Sequence, residues 1–237
     1  DFALDCGVTG LTVLGIMALG MTAVIVIGGI DLSVGSVLAL SMMVMGWLAN
    51  VVGVPMPLAM VAALVVGGLC GLTSGLLVTK ANLPSFIATL AMMSIARGLA
   101  NLVTDGTQIV GYPDWFSALS INRYLGFMSV TVALFLVLTA LAAVFMKYRA
   151  GGRALYAIGG SAEVARLAGI QVKKVTLWVY AVCGLLAGLA GVVMSTRLDS
   201  SQPSGGFGYE LDTIAAVVIG GASLSGGIGT IWGTLMG

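Results

Sequence analysis

The run MPLAMVAALVVGGLCGLTSGLLVT, residues 56–79, holds no charged residue and is long enough to cross the roughly 30 Å apolar core of a bilayer as one helix. Six other stretches qualify or nearly do, at about 8–28, 32–52, 84–103, 126–146, 175–195 and 212–237, with Arg97 and Asp212 the charges among them. Of the 237 residues 8% are charged and 59% hydrophobic, where a soluble domain carries about 25% charged residues. So few charges could not cover the surface of a water-soluble globule. A soluble enzyme, a nucleic-acid binder and a disordered chain are thereby excluded. The reading is an all-α, polytopic transmembrane helical bundle of about seven spans, forming a single membrane domain over 1–237.

Several chemistries are excluded by count. With no His and a net charge of +1, His-based metal sites, Ser-His nucleophiles and acidic partners drop out, and no cofactor is expected. Cys6, Cys70 and Cys183 each stand alone in an apolar run and read as small packed side chains. No Gly-x4-Gly-Lys-Ser/Thr phosphate loop occurs, so any nucleotide hydrolysis belongs to another polypeptide.

Orientation follows from the basic residues. Lys147, Arg149, Arg153, Arg166, Lys173 and Lys174 crowd the 147–174 loop, and Lys80 falls on the same side. Arg123 and Arg197 fall on the other. That puts 147–174 in the cytoplasm and leaves Asp105, Asp114, Trp115, Asp199 and Glu210 on the opposite face. Gly67, Gly71 and Gly75 share one helical face, as do Gly184 and Gly188. Small residues so spaced let helices approach closely in lipid, within one subunit or, alternatively, at a seam between subunits.

An internal repeat interrupts the spans. Val26–Gly35 aligns with Val218–Gly227 at an offset of 192, with seven of ten positions identical. Each copy follows an apolar run and reads Gly-Gly, a capping residue (Asp31 or Ser223), then Leu-Ser. The pattern predicts broken or re-entrant helices at 28–36 and 220–229, with plain interfacial turns as the alternative. Paired interruptions in two halves point to a transport path. Candidate path residues are the polar groups at membrane depth: Asp31, Ser33 and Ser36, then Arg97 and Asn101, then Ser223 and Ser225. Asp31 reads as a helix cap or as a path group, and Arg97 as facing a cavity or snorkelling outward.

Within the basic loop, Ser161 is positioned to cap a short helix over 162–168, with Glu163 in its first turn and Gly169 at its end. Val164, Leu167 and Ala168 would form its apolar face, while Arg166 carries charge. So short a helix is marginal in water and needs something to pack on. In a chain without its own ATPase, it suits docking of an ATP-binding subunit. The competing function is an ion- or proton-coupled secondary transporter or channel, which would need an acid well inside a span.

Several longer motifs resemble one family. Gly28-Gly-Ile-Asp-Leu-Ser-Val-Gly-Ser36, Pro84-Ser-Phe-Ile-Ala-Thr-Leu-Ala-Met-Met93 with Arg97-Gly98, Gly152–Gly160, Ala165–Ile170 and Gly208–Gly221 are similar to segments of the ribose-type sugar permeases of bacterial ABC importers. The resemblance implies a permease subunit in the bacterial inner membrane, paired with a second permease copy and bathed in membrane lipid. It implies an ATP-binding cassette subunit and a periplasmic sugar-binding protein that delivers ribose or a related monosaccharide. By the same analogy 161–169 is the coupling helix. Such permeases carry a helix ahead of Asp1 and more beyond Gly237, so the chain reads as part of a longer one.

Overall fold

The computed structural model describes residues 2–122 and 128–237, with side chains described from Gly10 onward. Arg123 and the side chain of Cys6 lie outside the described residues. The chain runs α1 (Phe2–Val26), α2 (Val34–Gly46), α3 (Met56–Thr79), α4 (Ser85–Leu102), β1 (Ile109–Val110), α5 (Asp114–Ile121) and α6 (Val130–Tyr148). It continues through α7 (Ala150–Gly160), α8 (Ala162–Leu167), α9 (Val172–Leu198), β2 (Ser200–Ser201), α10 (Tyr209–Ile219) and α11 (Ile231–Met236).

Among the described residues five helical segments are long and apolar enough to cross a membrane: Val34–Val52, Met56–Thr79, Ser85–Leu102, Val130–Tyr148 and Val172–Leu198. The shorter apolar run Gly10–Val26 belongs to α1. The stretch 212–237, expected as a seventh span, is not one helix. α10 stops at Ile219 and α11 begins at Ile231. Between them Gly221, Gly226 and Gly227 take φ of +91°, +84° and +78°, which a right-handed helix cannot accommodate.

Apolar character on every side sends α2 to the centre, where all its residues except Val44 are buried. α3, α4 and α9 pack around it. α3 and α9 cross on their glycines. A Cβ on Gly67 would collide with the Gly184 carbonyl, one on Gly71 with the Tyr180 carbonyl, and one on Gly188 would lie 2.8 Å from the Ala63 carbonyl oxygen. These small-residue faces therefore meet inside one chain. The outer surfaces of α3 and α6 are exposed rows of Leu58, Val61, Val65 and Leu69, and of Leu136, Val137, Leu141 and Val144. Such rows suit lipid and would be a liability in water.

Both long polar connections contain helices that their polarity hid. α5 sits in 104–125 and α7 in 147–174. At the α5 end, β1 and β2 form an antiparallel pair with Ile109 opposite Ser201 and Val110 opposite Ser200. Tyr112 and Ser201 share a 2.6 Å hydrogen bond, and Ser201 Oγ donates to the Met42 carbonyl at 2.7 Å. Burial pushes the Tyr112 phenol above its ordinary value, so it stays neutral there.

One placement differs from expectation. Glu210 is not at a water-facing end but 7% exposed, with its carboxyl group against Gly35. After β2 the chain dips back into the bundle over 202–208 and meets the first turn of α2, carrying the start of α10 with it.

Candidate translocation site and docking helix

Both copies of the repeat end their helices by the same device. Gly28 N–H donates to Ile25 O and Gly29 N–H to Val24 O, each at 2.9 Å; in the second copy Gly221 N–H donates to Val218 O at 2.9 Å and Ala222 N–H to Val217 O at 3.1 Å. These paired bonds satisfy the last carbonyls of α1 and α10 and require one left-handed residue. Gly28 fills that position in the first copy and Gly221, the second of its pair, in the other. The Gly-Gly pair thus offers two stopping points, one residue apart, and each copy uses a different one.

After each break a short polar side chain turns the backbone. Asp31 Oδ1 accepts from the Ser33 N–H at 2.8 Å and the Ser33 hydroxyl at 2.6 Å, while Ser223 Oγ accepts from the Ser225 N–H at 3.3 Å. Here the copies part. α2 begins at once, at Val34. In the second copy the left-handed Gly226 and Gly227 delay the restart, so Thr230, not Ser223, caps the next helix by accepting from the Gly233 N–H at 3.0 Å. Asp31 likewise acts one step ahead of α2, whose capping position is Ser33.

The non-helical backbone at 27–33 finds its partners on α4. Ser85 Oγ accepts from the Ile30 N–H at 3.3 Å, and the Thr89 hydroxyl, 2.9 Å from the Ser85 carbonyl of its own helix, also lies 3.3 Å from the Ile30 carbonyl. Irregular backbone at membrane depth is tolerated only where such groups are satisfied. The motif Pro84-Ser-Phe-Ile-Ala-Thr89 supplies both hydroxyls, a role that its local pattern does not reveal.

The two breaks touch. Gly227 N–H donates to the Val26 carbonyl at 2.8 Å. The end of α7 lies on that contact: a Cβ on Gly159 would strike both Val26 O and Gly227 N, and Tyr156 Oη donates to the Gly229 carbonyl at 2.8 Å. Burial pushes the Tyr156 phenol upward, which keeps its proton available for that bond. Tyr156 and Gly159 fall within the Gly152–Gly160 motif, but nothing in that motif marks their contact with the two breaks.

α8 follows α7 directly. Ser161 Oγ accepts from the Val164 N–H at 3.3 Å, and the far end closes through Gly169 N–H to Arg166 O and Ile170 N–H to Ala165 O, both at 3.0 Å. Gly169 adopts φ +86°, as that closure requires. Glu163 and Arg166 stand 3.7 Å apart on the open surface, where such a pair stabilises little. The packed residue is Ala165, not the expected trio. Val164 and Leu167 are 64% and 80% exposed, and Ala168 is exposed too. The helix therefore rests on the protein by one methyl group and presents two apolar side chains outward.

The remaining path candidates separate. Asp31, Ser33 and Ser36 are buried, with Cys183 of α9 next to Asp31. Arg97 donates to the carbonyls of Pro203 at 2.7 Å and Gly205 at 3.0 Å, so it neither snorkels nor hangs in a void but holds the 202–208 segment. Asn101, one turn on, donates to the Arg97 carbonyl at 2.8 Å. Ser225 is exposed and Ser223 half-buried on the turn beneath α7. No group of three or more His, Cys, Asp or Glu suited to a metal occurs among the described residues.

Residues 4–237 match the family described as branched-chain amino acid transport system / permease component. The chain is 46% identical over 229 residues to the ribose import permease protein RbsC of Escherichia coli (strain K12), covering 94% of this chain and 70% of that one. It is 43% identical over 226 residues to RbsC of Bacillus subtilis (strain 168), covering 94% and 69%. Against the fructose import permease protein FruG of Bifidobacterium longum it is 38% identical over 232 residues, covering 94% and 68%. No solved structure gives a significant match.

Proposed function

The chain belongs to the family of transport-system permease components, and on that premise we propose that it is the membrane-spanning subunit of an ATP-driven sugar importer of the ribose type. It is a transport subunit, not an enzyme. The cargo is a monosaccharide, with ribose favoured because the ribose permeases are nearer in sequence than the fructose permease.

The observation that carries the mechanism is the junction of Val26, Gly227 and Gly159. An ATP-binding cassette subunit docks at the cytoplasmic 147–174 loop, against Val164 and Leu167, with Glu163 and Arg166 beside them and Ser161 and Gly169 fixing the helix ends. Its closure on ATP moves α8 and therefore α7. Gly159, in van der Waals contact with backbone on both breaks, passes that movement to α1 and α10 together. Asp31, Ser33, Ser36, Arg97, Asn101, Ser223 and Ser225 line or support the route so opened. A periplasmic sugar-binding protein delivers cargo at the opposite end, near α5 and the β1–β2 pair, and a second permease copy completes the unit within the lipid.

The test is uptake of radiolabelled D-ribose into proteoliposomes holding the complete transporter and its loaded binding protein. Uptake requires internal ATP and does not follow an imposed proton or sodium gradient. Accumulation driven by either gradient without ATP would instead support a secondary transporter.

A further inference from the structure

α4 buries one stripe, Ala88, Met92, Ala96 and Ala100, at every fourth position. Its opposite face carries Ser94, Gly98 and Asn101 outward, with Arg97 at its border. Most of this face is apolar, with Ile87, Leu90, Ile95, Leu99 and Leu102 exposed. A half-buried guanidinium and an exposed amide at its C-terminal end are nonetheless costly against lipid, so that end borders water or protein. Over it stands Phe207, flanked by Gly206 and Gly208 and 77% exposed. Its ring centre lies 5.9 Å from the Arg97 guanidinium carbon. Arg97 Nη1 is occupied by Pro203 and Gly205, whereas Nε and Nη2 have no hydrogen-bond partner among the described residues. Glu210 sits behind, buried, close enough for its charge to act on the guanidinium, with Oε2 making no hydrogen bond among the described residues.

We propose that Phe207 and Arg97, with Asn101, form the station on the permease where the sugar is held in transit. The inference rests on the sugar-importer reading above. A monosaccharide ring has one apolar C–H face and a rim of hydroxyls. An exposed aromatic ring takes the first, and donors and acceptors fixed at its edge take the second. The buried Glu210 carboxylate offsets the Arg97 charge, so the site favours a neutral hydroxylated ligand over an anion. Two bonds to backbone carbonyls hold the guanidinium in place, which leaves it pre-oriented. The site draws on segments more than a hundred positions apart, joined only because 202–208 re-enters the bundle.

The experiment is uptake of radiolabelled D-ribose by cells carrying the complete importer and no other ribose transporter. Phe207→Leu, at an exposed position that folding does not need, raises KM or lowers kcat/KM about tenfold, whereas Phe207→Trp stays within about threefold of the parent. Arg97→Lys, which keeps the charge and loses the fork, changes the ratio of ribose to fructose uptake. Leu141→Ala, on the lipid-facing side of α6, transports normally. Ribose uptake by the parent with Phe207→Leu and Arg97→Lys both unaltered overturns this station and leaves the importer reading intact. A parent that takes up leucine and no sugar overturns the importer reading itself, and the station with it.

Discussion

The Gly227 amide donates to the Val26 carbonyl at 2.8 Å, joining two segments that are copies of one repeat. Val26 is the last residue of α1, so its carbonyl is one of the groups that a helix end leaves over. In surroundings this apolar, leaving it unpaired would cost more than in water. The two breaks therefore move as a pair, or one of them must find another partner.

The first break depends on two hydroxyls of α4. Ser85→Ala strands the Ile30 N–H and lowers stability by about 1 kcal/mol, and adding Thr89→Val, whose hydroxyl proton lies nearer the Ser85 carbonyl than the Ile30 carbonyl, lowers it by less. Thermal unfolding of the purified chain in detergent reads the change. Thr73→Val is the comparison: its hydroxyl bonds only to Leu69 O in its own exposed turn, and its midpoint stays near the parent's.

The α3–α9 crossing makes a sharper pair. Gly71→Ala drives a methyl group into the Tyr180 carbonyl and costs ~1–3 kcal/mol. Gly68→Ala, three residues away, meets nothing nearer than Leu185 Cβ at 3.9 Å and is neutral or slightly stabilising. Equal midpoints for the two variants would contradict the close approach.

At α8, Glu163→Lys combined with Arg166→Glu keeps an opposite-charge pair three residues apart while reversing what a partner would meet. Co-purification of the ATP-binding subunit weakens, and ribose uptake falls by about tenfold or more. Membrane insertion is unchanged, which quantitative blotting of the membrane fraction checks. A normal uptake rate would remove α8 from the coupling route.

Much of this arrangement can be read from local patterns. Apolar runs locate the long helices, and the Gly-Gly pairs locate both breaks, because a helix stop is written in adjacent residues. Ser161 and Gly169 delimit α8 for the same reason. What escapes is whatever depends on distant segments meeting. Nothing near Ser85 or Thr89 marks them as partners of Ile30. Glu210 looks like a surface acid until 202–208 folds back under it. Val164 and Leu167 read as the packed face of α8 by spacing alone, yet Ala165 takes that place and they stand exposed.

The central claim is that force from the cytoplasmic partner reaches both breaks through Gly159, and its neighbour provides the control. A Cβ on Gly159 would strike backbone of both breaks, while one on Gly160 meets nothing within 4 Å. The measurement is ATP hydrolysis and ribose uptake on the same proteoliposomes for Gly159→Ala and Gly160→Ala. The account predicts that Gly159→Ala still binds the ATP-binding subunit and hydrolyses ATP but loses uptake by about tenfold, with Gly160→Ala within about twofold of the parent. Equal, near-normal uptake by the two variants would contradict it.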